Sequence, residues 1–381
     1  HQNQIEGIFM RTTTKNGVTL KYPDEIGFCF NPCLIVLEGP NVASVALSLS
    51  DGTNTQGTGF DALGGHVYGD FREFVQTLFD DTTFGDIDYS AKSTKSKLGK
   101  LVTLTATAFR LSEAGERVAV AEFPFTVFYV WGALALGETY NGKREVTLFR
   151  GFPFTVGLYN DGSEGAVLVS NDGKATTVIS LDGQGVFDVT VPNETARHFY
   201  IISDFKGTLA ATTFDDTYDL TFRKIGTGTF EDKVRVNIVD GVDDGFYLRW
   251  IDRHGFYCYW LFKKGAEQFQ IANGGEYLRN NLLAYDQSYG YQGGAGRRQA
   301  YTRQDTVPVC APLVSRETWD YLLGVATSPV VDLFRGYKAD GKTPIWQSVT
   351  VQAGTYTKAM RTPLQDFALN ILLPETPTQT L

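Results

Sequence analysis

The sequence predicts an all-β, multi-domain protein made of β-sandwich domains with one or two short helices. Three observations carry that expectation. The chain of 381 residues exceeds what a single hydrophobic core usually serves. Forty glycines, 13% aromatic residues and only two methionines favour many short strands joined by tight turns. The third is local: between Gly245 and Gly265 the residues Phe246, Tyr247, Trp250, Phe256, Tyr257, Tyr259, Trp260 and Phe262 crowd around Asp252-Arg253-His254-Gly255. Aromatic side chains suit a pleated, half-buried surface, and a polar turn ending in glycine supplies the positive φ of a tight reversal, so this stretch reads as a β-hairpin. Leu248 and Trp250 before the turn, and Tyr257, Tyr259 and Leu261 after it, have the period of two that places alternate side chains on one sheet face.

The remaining elements follow in order. Residues 1–135 are expected to form a β-sandwich with one short helix. Phe28, Phe30, Leu34 and Val36, then Val45, Leu47 and Leu49, mark strands on either side of Glu38-Gly39-Pro40-Asn41. Phe71, Phe74, Val75 and Leu78 fall at i, i+3, i+4 and i+7, the stripe of an amphipathic helix over Asp70–Phe79 with Asp70 as its cap. Strands resume over Leu101–Phe109 and Arg117–Trp131. Residues 136–235 carry Asp161-Gly162, Asp172-Gly173 and Asp182-Gly183 between alternating segments, which describes a small immunoglobulin-like β-meander. Residues 236–381 form the aromatic-hairpin domain, with Trp250, Tyr259, Trp260 and Trp319 as structural anchors. Within it Ser315 caps a helix running through Trp319, Leu322 and Leu323, and Pro329 ends it. Val330–Phe334, Ile345–Val351 and Phe367–Leu373 read as closing strands.

Charge and cysteine usage narrow the function. The formal charge of −9 divides into −5 for residues 1–135, −4 for 136–235 and zero for 236–381, where 14 basic side chains meet 14 acidic ones. No segment is basic enough for a nucleic-acid footprint, so protein partners are expected and nucleic acid is not. Cys29, Cys33, Cys258 and Cys310 lack the paired spacing of a zinc site. An extended chain would hold Cys29 and Cys33 about 13 Å apart, beyond disulfide reach unless Pro32 turns it back, so reduced structural thiols are expected. No apolar run is long enough to span a bilayer, and no membrane association is expected. His1-Gln2-Asn3-Gln4 does not read as a secretory signal, so an extracellular destination would need another route or a processed amino terminus.

Catalysis finds little foothold, and neither an enzymatic activity nor a cofactor or metal is expected. No GxSxG elbow, HExxH helix, Walker loop or dinucleotide fingerprint is present. His1, His66, His198 and His254 are scattered, and His254 reads as a solvated turn residue. Asp215-Asp216 with Asp219 could mimic the paired carboxylates of a glycosidase, but adjacent residues on a strand point to opposite faces; Asp240, Asp243 and Asp244 read as a solvated turn.

The feature that reads as binding is a glycine- and tyrosine-rich loop over residues 285–303. Tyr285, Tyr289, Tyr291 and Tyr301 interleave with Gly290, Gly293, Gly294 and Gly296 beside Arg297 and Arg298, residue types favoured at protein interfaces. The carboxyl-terminal pattern, Gly245-Phe246-Tyr247-Leu248-Arg249-Trp250-Ile251-Asp252-Arg253-His254-Gly255 through Tyr259-Trp260-Leu261-Phe262, then Thr327-Ser328-Pro329-Val330-Val331 and Trp346-Gln347-Ser348-Val349-Thr350-Val351, resembles tail-region structural proteins of Bacteroidetes phages and prophages, among them distal-tail and tail-hub components. The resemblance lies in residues 236–381. It implies a β-rich virion protein, assembled in the host cytoplasm, that forms homo-oligomeric rings and contacts other virion proteins without chemistry. The alternative is a surface carbohydrate-binding or adhesion module, in which Trp250, Tyr257 and Trp260 form an exposed platform for glycan stacking.

Overall fold

The computed structural model describes residues 10–79, 87–135, 144–160, 162, 166–171, 175–190, 198–202, 209–213, 221–224, 233–242, 244–277, 285–286, 290–291, 297–298 and 300–379. The fold is all-β and multi-domain: thirty strands and two helices among the described residues. It divides into two compact units. One comprises His1–Gly241 with Ile251–Cys258, the other Val242–Trp250 with Tyr259–Leu381.

The first unit contains the expected sandwich. One sheet runs in the order Met10–Lys15, Val18–Pro23, Leu34–Glu38, His66–Asp70; the other runs Ile26–Phe28, Arg117–Val130, Gly99–Leu111, Val42–Ser50, Thr55–Asp61. The strands on either side of Gly39-Pro40-Asn41 belong to different sheets, and Asn41 takes a φ of 59° where the chain crosses. Alternation then does the packing. Leu20, Ile35 and Leu37 from one sheet and Leu47, Leu49, Leu104 and Val127 from the other point into one core and are buried.

The helix of this unit is shorter than its periodicity predicts, spanning Arg72–Thr77. Phe71, Val75 and Leu78 are fully buried against the sandwich. Asp70 is not the N-cap, which is Phe71; its carboxylate instead accepts from the backbone N–H of Arg72 at 3.0 Å and of Cys33 at 3.1 Å. The same aspartate therefore starts the helix and pins the Cys29–Cys33 turn. All four cysteines are free thiols, and Cys29, Cys33 and Cys258 are buried. Burial pushes the Cys33 thiol from its ordinary 9.0 to about 12 and raises Cys29 as well.

The Asp-Gly turns of residues 145–225 behave differently from a meander. Ala166–Asn171 pairs with Ala175–Ser180 across the second of them, in a sheet ordered Arg144–Arg150, Lys233–Asp240, His198–Ile202, Ala166–Asn171, Ala175–Ser180. Val156–Asn160 and Gly185–Val189, which flank the first and third, pair with each other in a separate three-stranded sheet. Two of the three turns thus carry the chain between sheets. The physical reason is that Asp-Gly supplies a reversal with positive φ, as at Gly183 (68°), without dictating which strand the chain meets next. The third strand of the small sheet is Ser93–Lys95, so the expected boundary at 135/136 falls inside a unit whose pairing crosses it. Lys233–Asp240, placed in part in the third domain by its sequence, lies in this unit and pairs in parallel with Arg144–Arg150.

The hairpin turn also belongs to the first unit. Phe256 packs into a cluster with Phe28, Phe128, Val130, Tyr159 and Val186. The turn is tightly tied: the Asp252 carboxylate accepts from the N–H groups of His254 (2.9 Å) and Phe256 (3.0 Å), and Gly255 adopts a φ of 73°. His254 is not a solvated residue. Its side chain is 20% exposed, with Nδ1 2.8 Å from the Asp252 carboxylate.

In the second unit, six strands close on themselves in the order Tyr257–Lys264, Phe246–Ile251, Val331–Tyr337, Pro344–Val351, Gln365–Leu372, Tyr301–Val314. Closure comes from the pairing of Lys263 with Cys310 and Lys264 with Val309. The result is a small β-barrel, whose interior of a few layers of side chains needs no cavity. Leu248, Trp250, Val331, Leu333, Val309, Phe367, Leu369 and Ile371 are buried. The cross-strand pairs Leu248 with Leu333, Trp250 with Val331 and Val309 with Leu369 place them on one face. Helix Arg316–Thr327, capped by Ser315 through the Thr318 N–H (3.2 Å), buries Trp319, Leu322 and Val325. Its Gly324 leaves room for the Trp250 indole, since a Cβ there would stand 3.1 Å from Nε1. The Tyr321 hydroxyl donates to the Tyr259 carbonyl (3.2 Å) and accepts from the Tyr259 N–H (3.0 Å), serving backbone groups beyond the two-residue seam.

The opposite face of the hairpin arms builds a second aromatic group. Tyr247 stacks on Tyr259 at 6.1 Å and meets Phe334 and Trp346 at the same separation, while Arg249, 5% exposed, lies 4.4 Å over Trp346 and pairs with Asp332 at 2.9 Å. The expected grouping of Leu248 and Trp250 with Tyr257, Tyr259 and Leu261 on one face is therefore corrected. The Asp252 N–H bonds to the Phe256 carbonyl at 2.9 Å, leaving three residues in the loop, and that parity sets even positions opposite even ones.

Two outcomes follow. Trp250→Ala destabilises the protein by about 3–5 kcal/mol through lost burial and an unfilled barrel layer, measured by denaturant unfolding; an unchanged midpoint would contradict this packing. For Cys33, a thiol pKa raised on folding gives stability that is complete below pH 9.0 and is lost as pH rises towards about 12. Cys33→Ala removes that part of the alkaline decline, read as a flatter midpoint-against-pH curve than wild type.

Candidate assembly surface

Beyond the barrel the second unit extends a β-ribbon, and its origin lies in one long strand. Tyr301–Val314 is 14 residues, of which Val309 and Cys310 close the barrel, whereas its first six residues pair with Gln268–Asn273. The ladder runs from Gln268 opposite Thr306 to Asn273 opposite Tyr301. It continues as Glu276–Tyr277 against Arg297–Arg298, and a further pairing joins Tyr285–Asp286 to Gly290–Tyr291. Residues 285–303 are thus not a plain loop: Tyr285–Asp286, Gly290–Tyr291 and Arg297–Arg298 are paired segments, in keeping with the preference of tyrosine for extended backbone. Tyr285, Tyr291, Arg297 and Arg298 lie in these ladders, and Tyr301 begins the long strand with 43% exposure. Tyr289 lies outside the described residues.

The ribbon has two unlike faces. Residues opposite one another share a face, so Phe269, Ile271 and Asn273 stand with Asp305, Arg303 and Tyr301, and Gln268, Gln270 and Ala272 with Thr306, Gln304 and Thr302. On the first face Phe269 is 52% exposed and Ile271 65%. The Arg303 guanidinium reaches both carboxylate oxygens of Asp305, at 2.7 and 2.9 Å, and lies 4.7 Å over the Phe269 ring. The face is therefore an apolar stripe beside an internally neutralised ion pair. Exposed apolar side chains aligned along a strand mark a contact surface more strongly than scattered ones. Sequence reasoning passed over Phe269 and Ile271, although the alternation Gln268-Phe269-Gln270-Ile271-Ala272-Asn273 was there to be read.

The two edges of the ribbon also differ. Along Tyr301–Thr306 runs the carboxyl-terminal segment: Leu373 donates to the Asp305 carbonyl at 2.9 Å, the Gln304 amide donates to the Leu373 carbonyl at 2.7 Å, and Thr378 bonds the Tyr301 carbonyl. Gln268–Asn273, exposed at all six positions, has Tyr301–Val314 as its one strand neighbour among the described residues.

The aromatic anchors lie elsewhere, inside the protein. Trp250, Tyr259, Trp260 and Trp319 are 0, 1, 9 and 4% exposed. With Tyr257 at 5%, the three rings named for a glycan platform present no open stacking face. Asp240 is paired with Arg150 at 3.1 Å, and Asp215, Asp216, Asp219 and Asp243 lie outside the described residues. Among the described residues no three His, Cys, Asp or Glu side chains cluster to hold a metal ion, and no helix is long and apolar enough to cross a membrane.

The chain matches no protein-family model and no curated protein sequence.

Because Phe269 and Ile271 touch water on the ribbon, Phe269→Ser and Ile271→Thr change the unfolding free energy by no more than about 0.5 kcal/mol at dilutions where the chain is monomeric. Chemical denaturation of the purified variants measures this, and a larger loss would show that the stripe belongs to a core.

Proposed function

We propose that this protein is a non-enzymatic virion structural protein, a phage tail or tail-adjacent ring or hub component that acts through protein–protein assembly. The observation that carries the reading is the ribbon, with its apolar stripe of Phe269, Ile271 and Tyr301 held out on a closed barrel. A barrel disposes of its own edges, so an exposed stripe on an extension of one barrel strand adds nothing to closure and is available to a neighbour. The resemblance of residues 236–381 to tail-region proteins points the same way. The acidic first 235 residues and the neutral remainder favour protein contacts over nucleic acid. Arg297 and Arg298 are suited to acidic side chains of a neighbouring copy or another virion protein.

Hydrogen exchange tests this reading. Residues 268–277 and 285–303 are expected to exchange faster in the isolated chain than in the assembled particle, with native mass spectrometry reporting multimers of the full chain. Equal exchange in both states would remove the ribbon from the interface and with it the main support for an assembly role.

A further inference from the structure

The open edge of the ribbon has a definite hydrogen-bonding polarity. The Gly274 N–H donates to the Ala300 carbonyl at 3.0 Å, so Gly274 and Ala300 form a hydrogen-bonded pair, in register with Asn273 opposite Tyr301. Backbone groups alternate direction along a strand, which turns Ala272, Gln270 and Gln268 inward with Gly274. The N–H and C=O groups of Phe269, Ile271 and Asn273 consequently point outward, away from Tyr301–Thr306. These are also the residues whose side chains stand on the apolar face. A strand added at this edge would receive its backbone bonds and its apolar contacts from the same three residues.

Natural edge strands are usually guarded by a charge, a proline or a bulge. Gln268-Phe269-Gln270-Ile271-Ala272-Asn273 has no charged residue and no proline, and its register with Tyr301–Thr306 is unbroken. The other edge of the ribbon is occupied by the chain's own carboxyl-terminal segment, and among the described residues no strand pairs with this one.

We infer that Gln268–Asn273 pairs antiparallel with the same strand of a second copy, about a two-fold axis through Ile271. An axis perpendicular to the sheet keeps the apolar faces of both copies on one side. Ile271 then stands opposite Ile271 of the second copy, and Phe269 opposite its Asn273, each pair exchanging both outward backbone bonds. The two stripes merge into one patch containing Phe269, Ile271 and Tyr301 from each chain. Charge selects a second copy over a foreign strand. A self-pairing about Ile271 sets that residue against its own duplicate and keeps Gln270 and Ala272 close to theirs, so a charge at these positions would meet its like; the strand has none, and the flanking charges are neutralised in pairs, Arg303 with Asp305 and Lys264 with Glu267. Such a contact is isologous and closes after two copies, so it joins chains in pairs and leaves any ring to a different surface. The inference rests on reading the ribbon as a contact surface and adds the identity of the partner.

The test uses the full chain in sedimentation velocity over a concentration series, with Ile271→Lys, Ile271→Glu and an equimolar mixture of the two. Wild type is expected to dimerise. Each charged variant alone shifts several-fold towards monomer, and the mixture recovers the dimer, because only a two-fold through residue 271 brings lysine opposite glutamate. Thermal midpoints close to wild type verify that the variants fold, as a site 65% exposed allows. Dimers unaffected by either charge, or a mixture that stays monomeric, would overturn the two-fold. A monomeric wild-type chain would overturn it too. If residues 268–273 of that monomer nevertheless gain exchange protection in the assembled particle, the edge takes a strand from another virion protein and the assembly reading survives. If they gain none, both readings fail.

Discussion

Two-sided burial of the aromatic hairpin is the constraint on which the rest of the carboxyl-terminal unit depends. Phe246–Ile251 and Tyr257–Phe262 are buried at every position, a pattern possible only where both faces of a strand pair are covered. One face fills the barrel with Leu248, Trp250 and Phe262. The other carries Tyr247, Arg249 and Tyr259 into the group formed with Asp332, Phe334 and Trp346. A buried guanidinium is costly unless paired, and here Arg249 has the Asp332 carboxylate and the Trp346 ring. The strand that supplies Asp332, Val331–Tyr337, is consequently held in register with the hairpin arm by a polar pair as well as by apolar packing.

From that packing the ribbon follows. With the barrel interior filled, closure needs only the two-residue seam at Lys263 and Lys264, and helix Arg316–Thr327 serves the rest through Tyr321. The long strand Tyr301–Val314 is then free at its amino-terminal end to pair outside the barrel. A single strand thus serves stability at one end and carries part of an exposed apolar stripe at the other.

The first unit applies the same economy of turns to a different end. Asn41 moves the chain from one sheet to the other, so that neighbours in sequence become opposite walls of a core, and two of the three Asp-Gly turns likewise connect different sheets. Asp70 joins the helix start to Cys33, and the buried thiols of Cys29 and Cys33 act as small apolar groups within the sandwich core.

By itself the sequence determined the class of structure, because period-two alternation and turn residues are local properties. It made the hairpin, the Ser315 cap, the closing strands and the sandwich of residues 10–130 legible, and the buried aromatics of the carboxyl-terminal half with them. Only the tertiary structure decided which strands are neighbours. Asp161-Gly162 and Asp182-Gly183 look like hairpin turns but connect sheets, since pairing depends on contacts distant in the chain. The three-residue loop parity moved Tyr259 to the face opposite Trp250, and closure between Lys263–Lys264 and Val309–Cys310 turned a sheet into a barrel. The same holds for the candidate surface. Tyrosine, glycine and arginine content drew attention to residues 285–303, while the stripe of Phe269 and Ile271 and the outward edge of Gln268–Asn273 exist only once the ribbon has its register.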